Sequence, residues 1–512
     1  MIVRNGLAAL PGRQDFVRAS LRVRGERIAD IVLASEDPDG SSLVPEAGEE
    51  VVEASGLLVL PGAIDPHVHF DEPGFTHRED FLHGTMEAAK GGVTTVIDMP
   101  CTSLPPVTDL AALRNKLAVI SSRAVVDYAL YGGVSGRGVE ASLGGGGKVG
   151  DGPGGKGRTA PGAAPGAAPG AMAELAAAGV VGFKCYFISG METFTRVTHD
   201  DFGRILAEGE RIGRPVLLHA EDLDYVTAAS ARLASARGSA APEWSDYVQS
   251  RPEAAELVAC ASALALASGR ESSLHVVHVG TAAAAELLHR GGASCETCSH
   301  YLAFSSEDFA EKGAALKTAP VVKGRAEREK LWRLLADGTI DFVTSDHAPS
   351  PESEKNTGNV LTAYGGIPGT GTVLPYLLSE GLFAGRLSLP RFLDAISGSA
   401  ARRYGLWARK GSLAAGKDAD LVLVDPAGTW RVEGSRLLSK GKITPFEGMD
   451  LTGRVLATYV RGHRVYDAGV FDARGTDARG TDGGSVSHNR ISDGPGILAE
   501  PGSGKFLAWG YR

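Results

Sequence analysis

Five cysteines in 512 residues are too few and too scattered for a disulfide framework. Cys101, Cys185, Cys260, Cys295 and Cys298 stand in apolar stretches, the setting of reduced, packed thiols. Cys295 and Cys298 form a lone CxxC with no second pair to complete a zinc site, so both are assigned to the core. Positive charge is also short: 52 Lys and Arg against 61 Asp and Glu leave a formal net charge of -9, which gives a phosphate backbone nothing to seek. No apolar run is long enough to span a bilayer, and the amino terminus MIVRNGLAALPGRQDF has charges and a proline where an export signal needs an apolar core. These absences predict a cytoplasmic protein with no nucleic-acid or membrane partner.

What the chain does have is eight short apolar runs, each ending in a polar or small residue. LLVLPGAIDPHVHF ends in His67 and His69, VGFKCYF carries Lys184, PVLLHAED carries His219, SLHVVHVG carries His278, and IDFVTSDHAP carries Asp346. The other three are VTTVIDMP, AVVDYALYGGV and ASCETCSHYL. Segments with helical spacing, such as Glu253 to Ser268 and Ala326 to Ala336, lie between them. Strand and helix therefore alternate eight times, which predicts an α/β chain folded as a (β/α)8 barrel with its chemistry at the C-terminal strand ends.

Residues 1–55 and 406–470 alternate short β-like pieces with turns, which predicts a small β-sandwich built from both chain ends around a barrel of residues 56–405. The stretch from 144 to 171 is almost wholly Gly, Ala and Pro with a tandem GAAP repeat, too poor in large apolar groups to form a core, and reads as a disordered insertion. FDARGTDARGTDGG repeats a polar pentad, so 471–512 is expected to be mostly disordered, with FLAWGYR as a short anchor.

Side chains two apart on a strand point the same way, so His67 and His69 can grip one ion. His275 and His278 are three apart and face opposite sides; His278, nearer the strand end, is taken as the ligand and His275 as packing. His219 closes an apolar run, where an imidazole has a ligand's setting. Lys184 is the oddest residue, because an ammonium among apolar neighbours is costly unless paired or neutralised. Carboxylation by CO2 would turn the amine into an anion able to bridge two cations; pairing with Asp346 is the alternative. Asp346 can ligate a metal and accept a proton from water.

The motifs PGAIDPHVHFDEPG, GGVTTVIDMP, VGFKCYF, LLHAED, HVVHVG, TSDHAPSP, GGIPG and GSLAAGKDADLVLVDP resemble the cyclic amidohydrolases, the group of allantoinases, dihydroorotases and hydantoinases or dihydropyrimidinases. The resemblance implies a centre of two divalent ions, zinc first among the candidates, held by His67, His69, N6-carboxylated Lys184, His219, His278 and Asp346. It implies hydrolysis of a C–N bond in a small cyclic amide, with Asp346 moving the proton. His300 and His347 are read as groups that support the ligands or face the substrate. Relatives are commonly dimers or tetramers, which implies a homo-oligomer.

The ring is read from Asp71, Cys101 and Gly366. Dihydroorotases of this group carry an arginine where Asp71 stands and an asparagine where Cys101 stands in MPCT, and an aspartate there would repel a carboxylated ring. The GFKC, SDHAP and GGI segments, the last with Gly366, look like those of allantoinases. Allantoin to allantoate is therefore the expected reaction. THREDF, with Arg78 as a stand-in cation, keeps dihydroorotate as an alternative; hydantoins or dihydropyrimidines are another, and a non-catalytic assembly subunit of the same fold is a further one.

Overall fold

A computed structural model describes residues 1–37, 42–144, 169–469 and 496–512. Most of the Gly/Ala/Pro insertion and the repeated pentad lie outside the described residues. Eight barrel strands follow in chain order: β1 (Ala63–Val68), β2 (Val93–Asp98), β3 (Asp127–Leu130, continued by Gly132–Gly133), β4 (Phe183–Tyr186), β5 (Val216–His219), β6 (Leu274–Val276), β7 (Ser294–Cys298) and β8 (Phe342–Thr344). Each pairs with the next in parallel. Between β8 and β1 the seam is a parallel bridge of Val68 with His347, in which the His69 N–H donates to the His347 carbonyl at 2.7 Å. The Ser345 N–H adds a 3.1 Å bond to the Asp65 carboxylate, so side chains take over where the ladder is short.

Helices cover the outside because their sequences carry one apolar stripe. In His199–Arg211 the buried residues are Phe202, Ile205, Leu206 and Gly209, the spacing of one helical face, and a Thr198/Asp201 capping box starts it. The segments expected at 253–268 and 326–336 form helices Glu253–Leu266 and Arg325–Asp337.

The two chain ends merge in one eight-stranded sheet, from Ile2–Ala8 through Leu58–Pro61 at the N-terminal side to Leu421–Arg431, Asp450–Val460 and His463–Asp467 at the other. The strand Leu58–Pro61 carries this sheet past residue 55 to the threshold of β1. Alternation along Leu421–Arg431 explains why both faces are dry: Val422 and Val424 join the barrel core, while Leu421 and Leu423 join a second core with Leu21, Val59 and Tyr459.

Within 471–512, residues 496–512 are packed rather than loose. Tyr128 at the start of β3 donates its N–H to the Lys505 carbonyl at 2.9 Å and accepts from the Leu507 N–H at 2.7 Å. Leu507 is fully buried, and Arg214 lies 4.5 Å above the Trp509 ring. Large apolar groups separated by turns give this tail the contact area that the polar pentad lacks.

Candidate metal centre

The C-terminal strand ends bring the sequence-derived ligands together, and backbone strain marks the place. Of the five described non-glycine residues with left-handed φ, three are here: Asp71 at 56°, His278 at 42° and Asp346 at 47°. His67 Nε2 and His69 Nε2 lie 3.2 and 3.4 Å from Asp346 Oδ1. Across the mouth, His219 Nδ1 faces His278 Nε2 at 3.0 Å. The His67 and His278 rings are 5.3 Å apart, so the two clusters adjoin.

Supporting carboxylates determine which nitrogen of each imidazole faces the mouth. Glu296 on β7 accepts from His67 Nδ1 at 2.5 Å and from His275 Nε2 at 3.2 Å. His275 is therefore more than packing: with Ser294 at 2.8 Å on its other nitrogen, it anchors the carboxylate that orients His67. Glu221 plays the matching part for His219, whose Nε2 lies 3.0 Å from Oε2 and leaves Nδ1 for the mouth. Burial lowers the pKa of His67, His219 and His278, which keeps the imidazoles neutral and able to ligate.

Lys184 is fully buried, and its Nζ has no hydrogen-bond partner among the described residues. It does not pair with Asp346; the Tyr186 ring lies 4.8 Å beneath it. Burial pushes its pKa down to about 8. The cluster also attracts positive charge at His69: burial opposes protonation, yet the hydrogen bonds to Asp346 and Cys101 raise that imidazole to about 10. Imidazoles, a carboxylate held ionised beside His67 and His69 against burial, and a buried amine with no hydrogen-bond partner among the described residues form a donor set that fits divalent ions.

A cavity of about 250 Å³ opens over this centre. Its wall includes Cys101, whose Sγ is 3.1 Å from the Tyr186 hydroxyl and 3.9 Å from His69 Nδ1. The other residues read as substrate contacts lie elsewhere. Asp71 is fully buried and absent from the wall, because β1 ends at Val68 and the left-handed turn at Asp71 breaks the two-residue period that would have aimed it inward. His347 Nε2 donates to Glu79 at 3.2 Å while Nδ1 accepts from the Gly369 and Thr370 N–H groups, a brace behind the wall. His300 is buried with no hydrogen-bond partner at either ring nitrogen among the described residues, and burial lowers its pKa to about 4. Gly366 supports the wall from behind, where its carbonyl accepts from Lys355 Nζ at 2.6 Å and a Cβ would fall 2.4 Å from the Ala348 carbonyl oxygen. Arg78 binds Glu354 at 2.7 Å and stacks 4.6 Å over Tyr364, which does line the cavity.

Sequence reasoning passed over Arg251, Tyr186 and Tyr364 on the wall and Glu221 and Glu296 beneath it. For the two glutamates a signal existed, since each is a charge inside an apolar run, as Lys184 is. The tyrosines and Arg251 gave none, being ordinary residues near strand and helix ends.

Comparison with known proteins agrees with this architecture. Residues 58–465 match the amidohydrolase family. The chain is 39% identical over 459 residues to the allantoinase of Rubrobacter xylanophilus, covering 88% of this chain and 93% of that one. It is 34% identical to the allantoinase of Solibacter usitatus over the same shares. Among solved structures, L-hydantoinase (dihydropyrimidinase) from Arthrobacter aurescens aligns with a TM-score of 0.82 and 28% identity over 99% of both chains. With the family's pattern running from Leu58 to Val465 and its ligand types gathered at one barrel mouth, the chain belongs to the amidohydrolase family.

Proposed function

We propose that this protein hydrolyses the C–N bond of a cyclic amide, and that its substrate is allantoin, opened to allantoate. The observation that carries the reading is the meeting of His67, His69, His219, His278 and Asp346 around a buried, unpartnered Lys184. The allantoinases of 39% and 34% identity supply the choice of ring. Those five side chains, with Lys184 as an N6-carbamate, would hold two divalent ions, zinc being suited to imidazole and carboxylate. Carboxylation forms one N–C bond from the neutral Lys184 amine to CO2 and releases one proton to solvent. When bound, such ions make water a nucleophile near neutral pH and polarise the scissile carbonyl.

The protein's own groups do the rest. Asp346, 13% exposed at the wall, stands where it can take the proton of the attacking water and return it to the departing ring nitrogen. Glu296 and Glu221 keep the imidazoles in one tautomer and orientation, and the Tyr186 ring, stacked 5.2 Å from that of His219, shields the Lys184 side of the cavity. The likeness to L-hydantoinase favours hydantoins as a second reading. Turnover of allantoin, hydantoin, dihydrouracil and dihydroorotate by zinc-replete protein tests both: allantoin should give the highest kcat/KM. A preference for dihydroorotate, or no ring opened at all, would overturn the assignment.

A further inference from the structure

Arg251 is the lone lysine or arginine on the cavity wall among the described residues. It stands in the turn between helices Trp244–Ser250 and Glu253–Leu266, and its carbonyl accepts from Lys323 Nζ at 2.6 Å, which pins the backbone there. Its side chain is 19% exposed, and Nη1 donates to Glu221 Oε2. Nε and Nη2 make no hydrogen bond among the described residues. A guanidinium has five N–H donors, and Glu221 uses one of them. The remaining donors are not taken by the described residues and are available to water or to a ligand in the cavity.

Its charge, by contrast, is already met. Glu221 is 2% exposed, and it is fixed on its other side by His219 Nε2 at 3.0 Å. A ring carboxylate approaching Arg251 would share one cation with a carboxylate that cannot move away, and Asp346 stands on the same wall. A neutral carbonyl oxygen accepts N–H donors without that repulsion. Asp71 does not line the cavity and makes no direct contact there.

We propose that Arg251 is a specificity residue of the cavity: it donates to the ureido carbonyl oxygen of the substrate ring, and Glu221 cancels its charge so that a ring carboxylate gains nothing. This rests on the cyclic-amide reading above. The donors left unpaired by a ring without that carbonyl are the basis of rejection.

The test uses two inert probes, imidazolidin-2-one, which carries the ureido carbonyl without a scissile acyl bond, and 2-oxoimidazolidine-4-carboxylate. Their affinities for the zinc-loaded full chain are read by ligand-observed NMR, alongside metal content and the kinetics of whichever ring is turned over. Arg251→Lys keeps a cation for Glu221 but loses the planar fork. Should it fail to fold, Arg251→Gln, whose side-chain amide can still donate to Glu221, replaces it. In the wild type imidazolidin-2-one should bind at least as tightly as the carboxylated probe. In the variant the affinity for imidazolidin-2-one should fall, and KM rise, by about tenfold or more, with two ions retained and kcat within about threefold. Unchanged affinity and KM would overturn the proposal, as would a variant that loses metal while its metal-bound fraction binds normally, since Arg251 would then serve only to position Glu221. Tighter binding of the carboxylated probe by the wild type would overturn it too. If the wild type binds imidazolidin-2-one but opens no ring, the enzymatic reading fails and the role of Arg251 stands; if it binds neither probe, the role of Arg251 fails.

Discussion

Lys184→Met separates what the buried amine costs the fold from what it does for metal. The amine is fully enclosed without a hydrogen bond among the described residues, and burial moves its pKa from 10.5 to about 8. That difference corresponds to about 3 kcal/mol against the ammonium form in the folded state. The pKa is lowered by folding, so the penalty is full below pH 8, shrinks as pH rises from 8 to 10.5, and is absent above that range. Metal-free wild type in CO2-free buffer should therefore gain stability relative to Lys184→Met across that window. Methionine fills a similar volume with no charge, so the metal-free variant should be more stable by about 3 kcal/mol at pH 7 and nearly equal to wild type at pH 10.5. Urea unfolding at the two pH values measures this. Metal analysis after loading with zinc and bicarbonate should show about two ions on the wild type and a loss of at least one on the variant, with activity lost. A variant no more stable than wild type at pH 7 would refute the desolvation argument. One that kept both ions and full turnover would refute the carbamate.

Asp71→Asn should leave the order of preference among neutral and carboxylated rings unchanged, because Asp71 lies off the wall. Burial raises its carboxyl from 3.8 to about 7, so ionising it costs the fold a penalty that grows from pH 3.8 and is full above pH 7; the variant should be more stable by up to about 4 kcal/mol at pH 8, with no gain near pH 4, and asparagine tolerates the left-handed φ. Deleting residues 145–169 should leave turnover intact and the melting temperature within about 3 °C, because a Cβ on Gly170 would fall 2.3 Å from Gly144 N, so the ends to be joined already touch; lost activity would make the insertion part of the site. Glu296→Gln should weaken metal binding by about 10- to 100-fold in a chelator competition, since it removes the carboxylate between His67 and His275, and unchanged affinity would show that it orients neither.

The repeat of apolar runs and amphipathic segments was enough to read the barrel, because burial on both faces of a parallel strand and on one stripe of a helix leaves a mark in every few residues. The candidate ligands were legible for the same reason. His67, His69, Lys184, His219, His278 and Asp346 are polar groups at the ends of runs that have no other use for them, and Glu296, which went unread, bore the identical mark. Asp71 shows where such reasoning stops. Its place was extrapolated from strand periodicity, and periodicity ends where β1 ends; a left-handed φ three residues later turned the carboxylate into the interior. Arg251, Tyr186 and Tyr364 came to one cavity wall from segments far apart in the chain, a proximity created only by closure of the barrel. The tail divides the same way: its Leu507 and Trp509 were visible as an anchor, but the surface they cover, from Tyr128 to Arg214, exists only once β3 and its neighbours have assembled. Local pattern determined the strands, the helices and the candidate metal ligands, since each depends on a residue and its near neighbours. Tertiary structure alone decided which side chains face the cavity, since that depends on turns and long-range contacts that leave no period in the sequence.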